Sequence, residues 1–323
     1  MILFLTLLLF VSAVFAHHGV ASLGYGGLYG PGSPLESSSS LTLPRGSFLF
    51  YTKLDHARFK TYRDKGPQQT ELYQFWFFGL GYGLRSWLSL YLFVPYNYKK
   101  DTNNQFNIAG FADPILSAVF GFKYDEGFRL VPDNESLDEL EDWHFTLYTN
   151  LSLPIAEDSP IDSRGNIDPV KSLGYGKPTL TLGFTATKML SQSFTLVVNS
   201  SYMRFPENKY SNGLKYKFGD EIRGDLALVY SFFVNEKNKF RLDTTLEFNF
   251  LNIGRDEEFG RKLTASGGKI LYSTLGVRFY YKQMSLGSGV KIPIWKELNE
   301  QNLQQGSEGL ERYRAIFTLS FLF

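Results

Sequence analysis

Arg312-Tyr313-Arg314-Ala315-Ile316-Phe317-Thr318-Leu319-Ser320-Phe321-Leu322-Phe323 is the stretch on which the fold turns. Its odd positions, Tyr313, Ala315, Phe317, Leu319, Phe321 and Phe323, are all apolar. Its even positions, Arg312, Arg314, Ile316, Thr318, Ser320 and Leu322, are mostly polar. Side chains alternate across a strand with period two, so the pattern predicts a strand with one greasy and one wet face. The same alternation recurs upstream. Trp143, Phe145, Leu147 and Leu151 oppose His144, Thr146, Tyr148 and Asn150. Phe240, Leu242, Leu246 and Phe248 oppose Arg241, Asp243, Thr245 and Glu247, and Leu275, Val277 and Phe279 oppose Thr274, Gly276 and Arg278.

Working outward, twelve strands are expected at 46–59, 70–83, 86–95, 110–124, 142–154, 178–189, 193–204, 220–234, 239–252, 268–281, 284–294 and 310–323. Most are longer than strands of soluble sheets, whose lengths peak near about 5–6 residues. They match the roughly 9–11 residues a tilted strand needs to cross a bilayer. The connections alternate. Short ones fall at 84–85, 190–192, 235–238 and 282–283, and long polar ones at 96–109, 155–177, 205–219, 253–267 and 295–309. Short turns at one end and long loops at the other belong to outer-membrane barrels, the short end being periplasmic. Aromatics near strand ends fit an interfacial girdle, with Trp143, Phe232, Phe240 and Tyr281 at one rim and Phe93, Tyr202, Phe250 and Trp295 at the other. The fold expected is therefore all-β: a transmembrane antiparallel β-barrel of twelve strands, since lipid leaves no backbone group unpaired unless the sheet closes.

Composition agrees with this and excludes several functions. Aromatic residues make up 17% of the 323 residues, with 30 Phe and 20 Tyr. The absence of cysteine excludes disulfides, thiolate metal sites and a Cys nucleophile. The net charge of +1 leaves no field for nucleic acid, so none is expected as a partner. No cofactor and no metal site are expected. His17-His18 could chelate a soft cation only as a new N-terminus, and adjacent histidines are more often incidental. Catalysis finds no support: there is no Gly-x-Ser-x-Gly, His-Glu-x-x-His or phosphate loop. Asp55 and His56, as strand neighbours, point to opposite faces. Tyr210-Ser211-Asn212-Gly213 is faintly similar to the serine stretch of outer-membrane phospholipase but has no His ahead of Ser211.

Three parts are expected along the chain. Residues 1–16 read as a signal peptide: an apolar run from Ile2 to Phe15, then Val14 and Ala16 at cleavage positions. Residues 17–45 are glycine- and serine-rich and form either a plug in the barrel or a loose periplasmic lead. Residues 46–323 form the barrel. One turn breaks the loop rule. Between Asp125 and Asp142 the chain is long and acidic, and Ser136-Leu137-Asp138-Glu139 fits a helix capping box. A solvated loop is the expected reading, a partner or cation site the other.

Charges of both signs fall on the inward faces: Arg223, Asp225, Arg241, Asp243, Glu247, Arg278, Lys291, Arg312 and Arg314. Rings of such charges set selectivity in channels. They could equally pair across strands and fill the lumen, and a twelve-stranded barrel lies between filled eight-stranded ones and open porins.

Gly30-Pro31-Gly32-Ser33-Pro34-Leu35-Glu36 with Leu43-Pro44-Arg45-Gly46-Ser47 resembles the N-terminal stretch of the MetA-pathway of phenol degradation family. Gly79-Leu80-Gly81-Tyr82-Gly83, Leu173-Gly174-Tyr175-Gly176-Lys177 and Gly110-Phe111-Ala112-Asp113 also resemble that group, Ala112 replacing a glycine. The resemblance implies a fatty-acid-transporter-like barrel passing small solutes, hydrophobic or aromatic ones among them, across the outer membrane. The terminal Phe323 resembles the assembly signal of such barrels, which implies the barrel assembly machinery and outer-membrane lipids as partners. A structural or adhesion barrel with a filled lumen is the alternative, and an outer-membrane hydrolase a remote one.

Overall fold

The computed structural model describes residues 29–60, 70–101, 107–161, 167–299 and 311–323. The expected signal peptide and His17-His18 lie outside them. Twelve long strands are present: β1 Phe48–Phe59, β2 Thr70–Arg85, β3 Leu88–Asp101, β4 in two pieces (Ile108–Phe111 and Ile115–Tyr124), β5 Trp143–Ser152, β6 Leu180–Met189, β7 Phe194–Arg204, β8 Glu221–Asn235, β9 Phe240–Ile253, β10 Gly268–Tyr281, β11 Met284–Leu298 and β12 Glu311–Leu322. Each pairs antiparallel with its sequence neighbours. β1 pairs with β12 from Leu49↔Leu322 to Phe59↔Glu311, which closes the ring. Closure gives each strand a partner on both sides along the belt, the condition for a strand protein in lipid.

The faces sort as the alternation predicts. Leu147, Leu226, Leu246, Phe248, Leu275 and Phe317 are exposed on the outside, whereas Tyr148, Ala227, Glu247, Thr274 and Arg278 are buried inside. In water so continuous an apolar surface would not stay monomeric; facing lipid, it is the expected exterior. No helix among the described residues is long and apolar enough to cross a membrane; the chain crosses with strands.

Several boundaries differ from expectation. β3 runs on to Asp101 and β11 to Leu298, because Tyr96–Lys99 and Trp295–Leu298 still find ladder partners beyond the apolar belt. β4 is interrupted at 112–114, where Pro114 cannot donate to the ladder. The loop at 125–142 carries the short helix its capping box predicts, α1 Leu137–Leu140 beginning at Ser136–Glu139, and adds a piece of strand not expected, Phe128–Leu130, which pairs with β4.

Candidate functional site

The lumen has two unlike walls. Strands β1 to β4 contribute an apolar one: Tyr51, Phe75, Phe77, Tyr91, Phe93 and Ile115 form a single buried cluster that reaches Leu43 below and Phe205 above. Phe77 and Phe93 stack at 4.7 Å between ring centres, Tyr91 and Phe93 at 5.7 Å. Two rings lie across glycines of the neighbouring strand. A Cβ on Gly79 would sit 2.5 Å from the Phe93 ring, and one on Gly81 2.5 Å from the Tyr91 ring. Phe93 is thus a lumen residue rather than the rim aromatic expected, in keeping with its odd position on β3.

Strands β8 to β12, with β1, contribute a charged wall. Arg241 holds Asp243 through two contacts at 2.6 and 2.8 Å. Arg314 donates to Glu311 at 2.6 Å and lies 3.5 Å from Asp55. Arg223 donates to Glu221 at 2.7 Å, and Asp225 accepts from Asn199 and Asn249. Eight of the nine charges placed inward by sequence lie on this wall. Arg312 does not. Arg58 pairs with Tyr313 and Phe59 with Glu311, so Arg312 is the extra residue of a bulge and turns to the exposed side, while Glu311 takes the inward place.

What these charges grip is the segment 29–45. It leaves the periplasmic end, where a Cβ on Gly83 would strike the carbonyl of Pro44, and runs up inside the barrel. Leu43 N–H donates to Ser89 Oγ at 2.7 Å and Ser40 N–H to Thr187 Oγ1 at 2.9 Å. At mid-height the chain turns around Glu247. That carboxylate accepts the N–H groups of Leu35 at 2.6 Å, Glu36 at 3.2 Å and Ser37 at 2.8 Å, and the Ser37 hydroxyl at 2.7 Å. Successive N–H groups aimed at one anion form a nest, here with the anion supplied by the wall. Glu36 itself pairs with Lys53 and, at 2.6 Å, with Lys291. The chain then descends. Arg278 donates to the carbonyls of Ser33 at 3.1 Å and Pro34 at 2.8 Å, and Arg241 to that of Gly30 at 2.6 Å.

Leu35 is fully buried on a floor of three glycines. A Cβ on Gly276, Gly287 or Gly289 would meet its methyl groups at 2.1, 2.6 and 2.5 Å. Above the turn a cavity of about 20 Å³ remains, lined by Glu36, Arg223, Asp225, Asn249, Tyr272 and Lys291. That is room for about one water.

Sequence reasoning missed Glu36, Lys53, Asp55, Glu221 and Glu311, and the aromatic wall. On β2 the run Tyr73-Gln74-Phe75-Trp76-Phe77-Phe78 is aromatic on both faces, so no period shows which side is the lumen. Among the described residues no group of His, Asp and Glu is arranged to hold a metal.

This is the architecture of an outer-membrane β-barrel. The chain belongs to the family described as "Putative MetA-pathway of phenol degradation", whose profile matches residues 68–281. Among solved structures, the COG4313 outer membrane channel from Pseudomonas putida F1 is similar with a TM-score of 0.68 at 11% identity, over 90% of this chain and 100% of that one. The TodX deltaS2S3 mutant, a monoaromatic hydrocarbon channel, gives 0.46 at 11% identity over 95% and 99%. The NanC porin gives 0.46 at 8% identity over 85% and 98%. At such identities the likeness is one of fold. No curated protein matches the sequence.

Proposed function

We propose that this chain is an outer-membrane channel for the passive passage of small solutes, hydrophobic or aromatic compounds among them, and that segment 29–45 is its plug. The observation that carries the reading is the lumen's construction. One wall is aromatic, the other is charged, and the space between is taken by a segment held through polar contacts rather than by wall side chains meeting across the axis. A barrel that served only as scaffold could fill its lumen from the walls alone. The lumen charges here act first as a clamp on the plug and only then as a selectivity filter for whatever passes it. Nothing in this arrangement calls for catalysis.

The test is planar-bilayer conductance and liposome swelling, with the mature chain and with a form lacking 17–45. The shortened form should conduct several-fold more, and toluene- or phenol-sized solutes should reduce its current saturably. A second reading, a structural barrel with a permanently filled lumen, draws on the complete burial of Leu35 and Leu43. It predicts no flux from the mature chain and no solute effect on the shortened one. That pair of results would overturn the channel reading.

A further inference from the structure

The inner side of the acidic excursion at 125–142 closes against the periplasmic end of the lumen, where Glu135 contacts the buried His144 at 2.9 Å, but its outer face is not acidic. β4 outlasts β3 at the periplasmic end: the last β3 partner is Leu88↔Phe120, and Gly121 N–H still reaches the Trp87 carbonyl at 2.8 Å, so β3 leaves one edge of Phe122 to Tyr124 unfilled. The chain turns through Glu126, at φ 52°, and folds back to fill it, with Phe122↔Leu130, Lys123↔Arg129 and Tyr124↔Phe128 in register. The result is a small flange below the turn between β2 and β3.

The flange has two chemically opposite faces. Lys123 and Arg129 lie on the inner one. Lys123, fully buried, contacts Asp142 at 3.0 Å and Glu135 at 3.2 Å, and Arg129 contacts Asp125 at 2.6 Å and Glu139 at 3.4 Å. Asp125, Glu135, Glu139 and Asp142 are thus turned inward onto cations. On the outer face stand Phe128, 72% exposed, and Leu130, 56% exposed. Phe128 packs edge-on to Tyr124 at 5.1 Å and lies 5.9 Å from both Phe122 and Phe145, the last a lipid-facing residue of β5. The apolar plane of the barrel exterior therefore continues without a break onto the flange.

We infer that this flange docks into the periplasmic leaflet, Phe128 and Leu130 entering the lipid interface and carrying the hydrophobic belt beyond the barrel wall. Aromatic side chains on a flat face free of charge suit the boundary between acyl chains and headgroups. Held in water instead, two such side chains would leave their apolar surface unburied. A basic protein partner would find Asp125, Glu135, Glu139 and Asp142 already engaged. The inference rests on the membrane placement of the barrel and not on its being a channel.

The chain has no cysteine, so single cysteines can be introduced cleanly. Nitroxide labels on F128C, L130C, E126C, D133C and, as a control on the barrel wall, L147C would be compared in liposomes by collision with oxygen and with a water-soluble nickel chelate. Labels at 128 and 130 should resemble that at 147, with nickel collisions several-fold below those at 126 and 133. Either of the two positions decides if the other variant fails to fold. Labels at 128 and 130 as accessible to nickel as those at 126 and 133, with 147 still in lipid, would overturn the inference. So would protection of 128 and 130 in native membranes but not in liposomes, which would indicate a protein partner. A water-exposed 147 would mean instead that the membrane placement had failed.

Discussion

Glu247 shows how one residue couples the barrel wall to segment 29–45. It lies on an inward face, as its alternation with Leu246 and Phe248 predicts, but its main partners are backbone N–H groups more than 200 positions away. A backbone group leaves no signature in a sequence, so the charge was legible and its task was not. Replacing it by leucine would leave three N–H groups buried without an acceptor. Glu247→Leu should therefore cost on the order of 3 kcal/mol in melting experiments and make residues 29–45 susceptible to protease from the periplasmic side. Unchanged stability and protection would remove Glu247 from the clamp. Arg312 and Arg314 provide a sharper pair. Period two assigns both to one face, but the bulge inserts a residue and parts them. Arg314→Met strands the buried Glu311 carboxylate and leaves Asp55 with Lys53, and should destabilise the barrel by about 3 kcal/mol, whereas Arg312→Met should stay within about 0.5 kcal/mol. Equal effects in denaturation would contradict the bulge.

At the scale of elements, the short glycine motifs that suggested the family prove to be contact points. Asp113, ending Gly110-Phe111-Ala112-Asp113, accepts the N–H groups of Ile155 at 3.0 Å, Ala156 at 2.9 Å and Tyr175 at 3.2 Å. Tyr175 belongs to Leu173-Gly174-Tyr175-Gly176, so two motifs far apart in sequence are one junction beneath the outer loops. The glycines of Gly79-Leu80-Gly81 make room for Phe93 and Tyr91. Gly81→Val should drive Tyr91 off its seat and cost about 1–3 kcal/mol, measured by chemical unfolding, while the exposed neighbour Leu80→Val changes little. The 125–142 excursion adds a pH dependence. Burial would raise the Glu135 carboxyl, but hydrogen bonds from His144 and Lys123 outweigh it and hold the group below its ordinary value of 4.5. A lowered acid stabilises the fold above that value and loses the contribution as pH falls through its folded one. Hydrogen exchange across 125–142 should accordingly be slow at neutral pH and rise as pH falls below the ordinary value of 4.5, where Glu139, also held below that value beside Ser136 and Lys123, begins to protonate as well. Glu135→Gln should flatten that rise; an unaltered profile would assign it to the other acids.

For the whole molecule, the ring was the most legible feature, because a sheet with lipid outside and a polar lumen inside must write its alternation into every strand. Strand ends were less so, since ladder pairing outlasts the apolar belt. Least legible of all was the path of 29–45, whose glycines and serines suit a plug and a loose lead equally. The belt itself makes the broadest claim. Leu196, Leu228, Leu246, Leu275, Val290 and Ala315 follow one another across six adjacent strands, each opposite the next in register. Leu246 stands near the middle of β9. An arginine there would have to reside at the depth of the acyl chains, so Leu246→Arg should lower the free energy of folding into liposomes by about 2–4 kcal/mol, and Leu246→Ala by clearly less. In a soluble β-sandwich Leu246 would lie in a dry core, where both substitutions are severe and alanine alone would cost about 2–5 kcal/mol. Folding titrations that found the alanine variant as damaged as the arginine one would therefore place Leu246 in a protein interior and open the ring on which the channel reading stands.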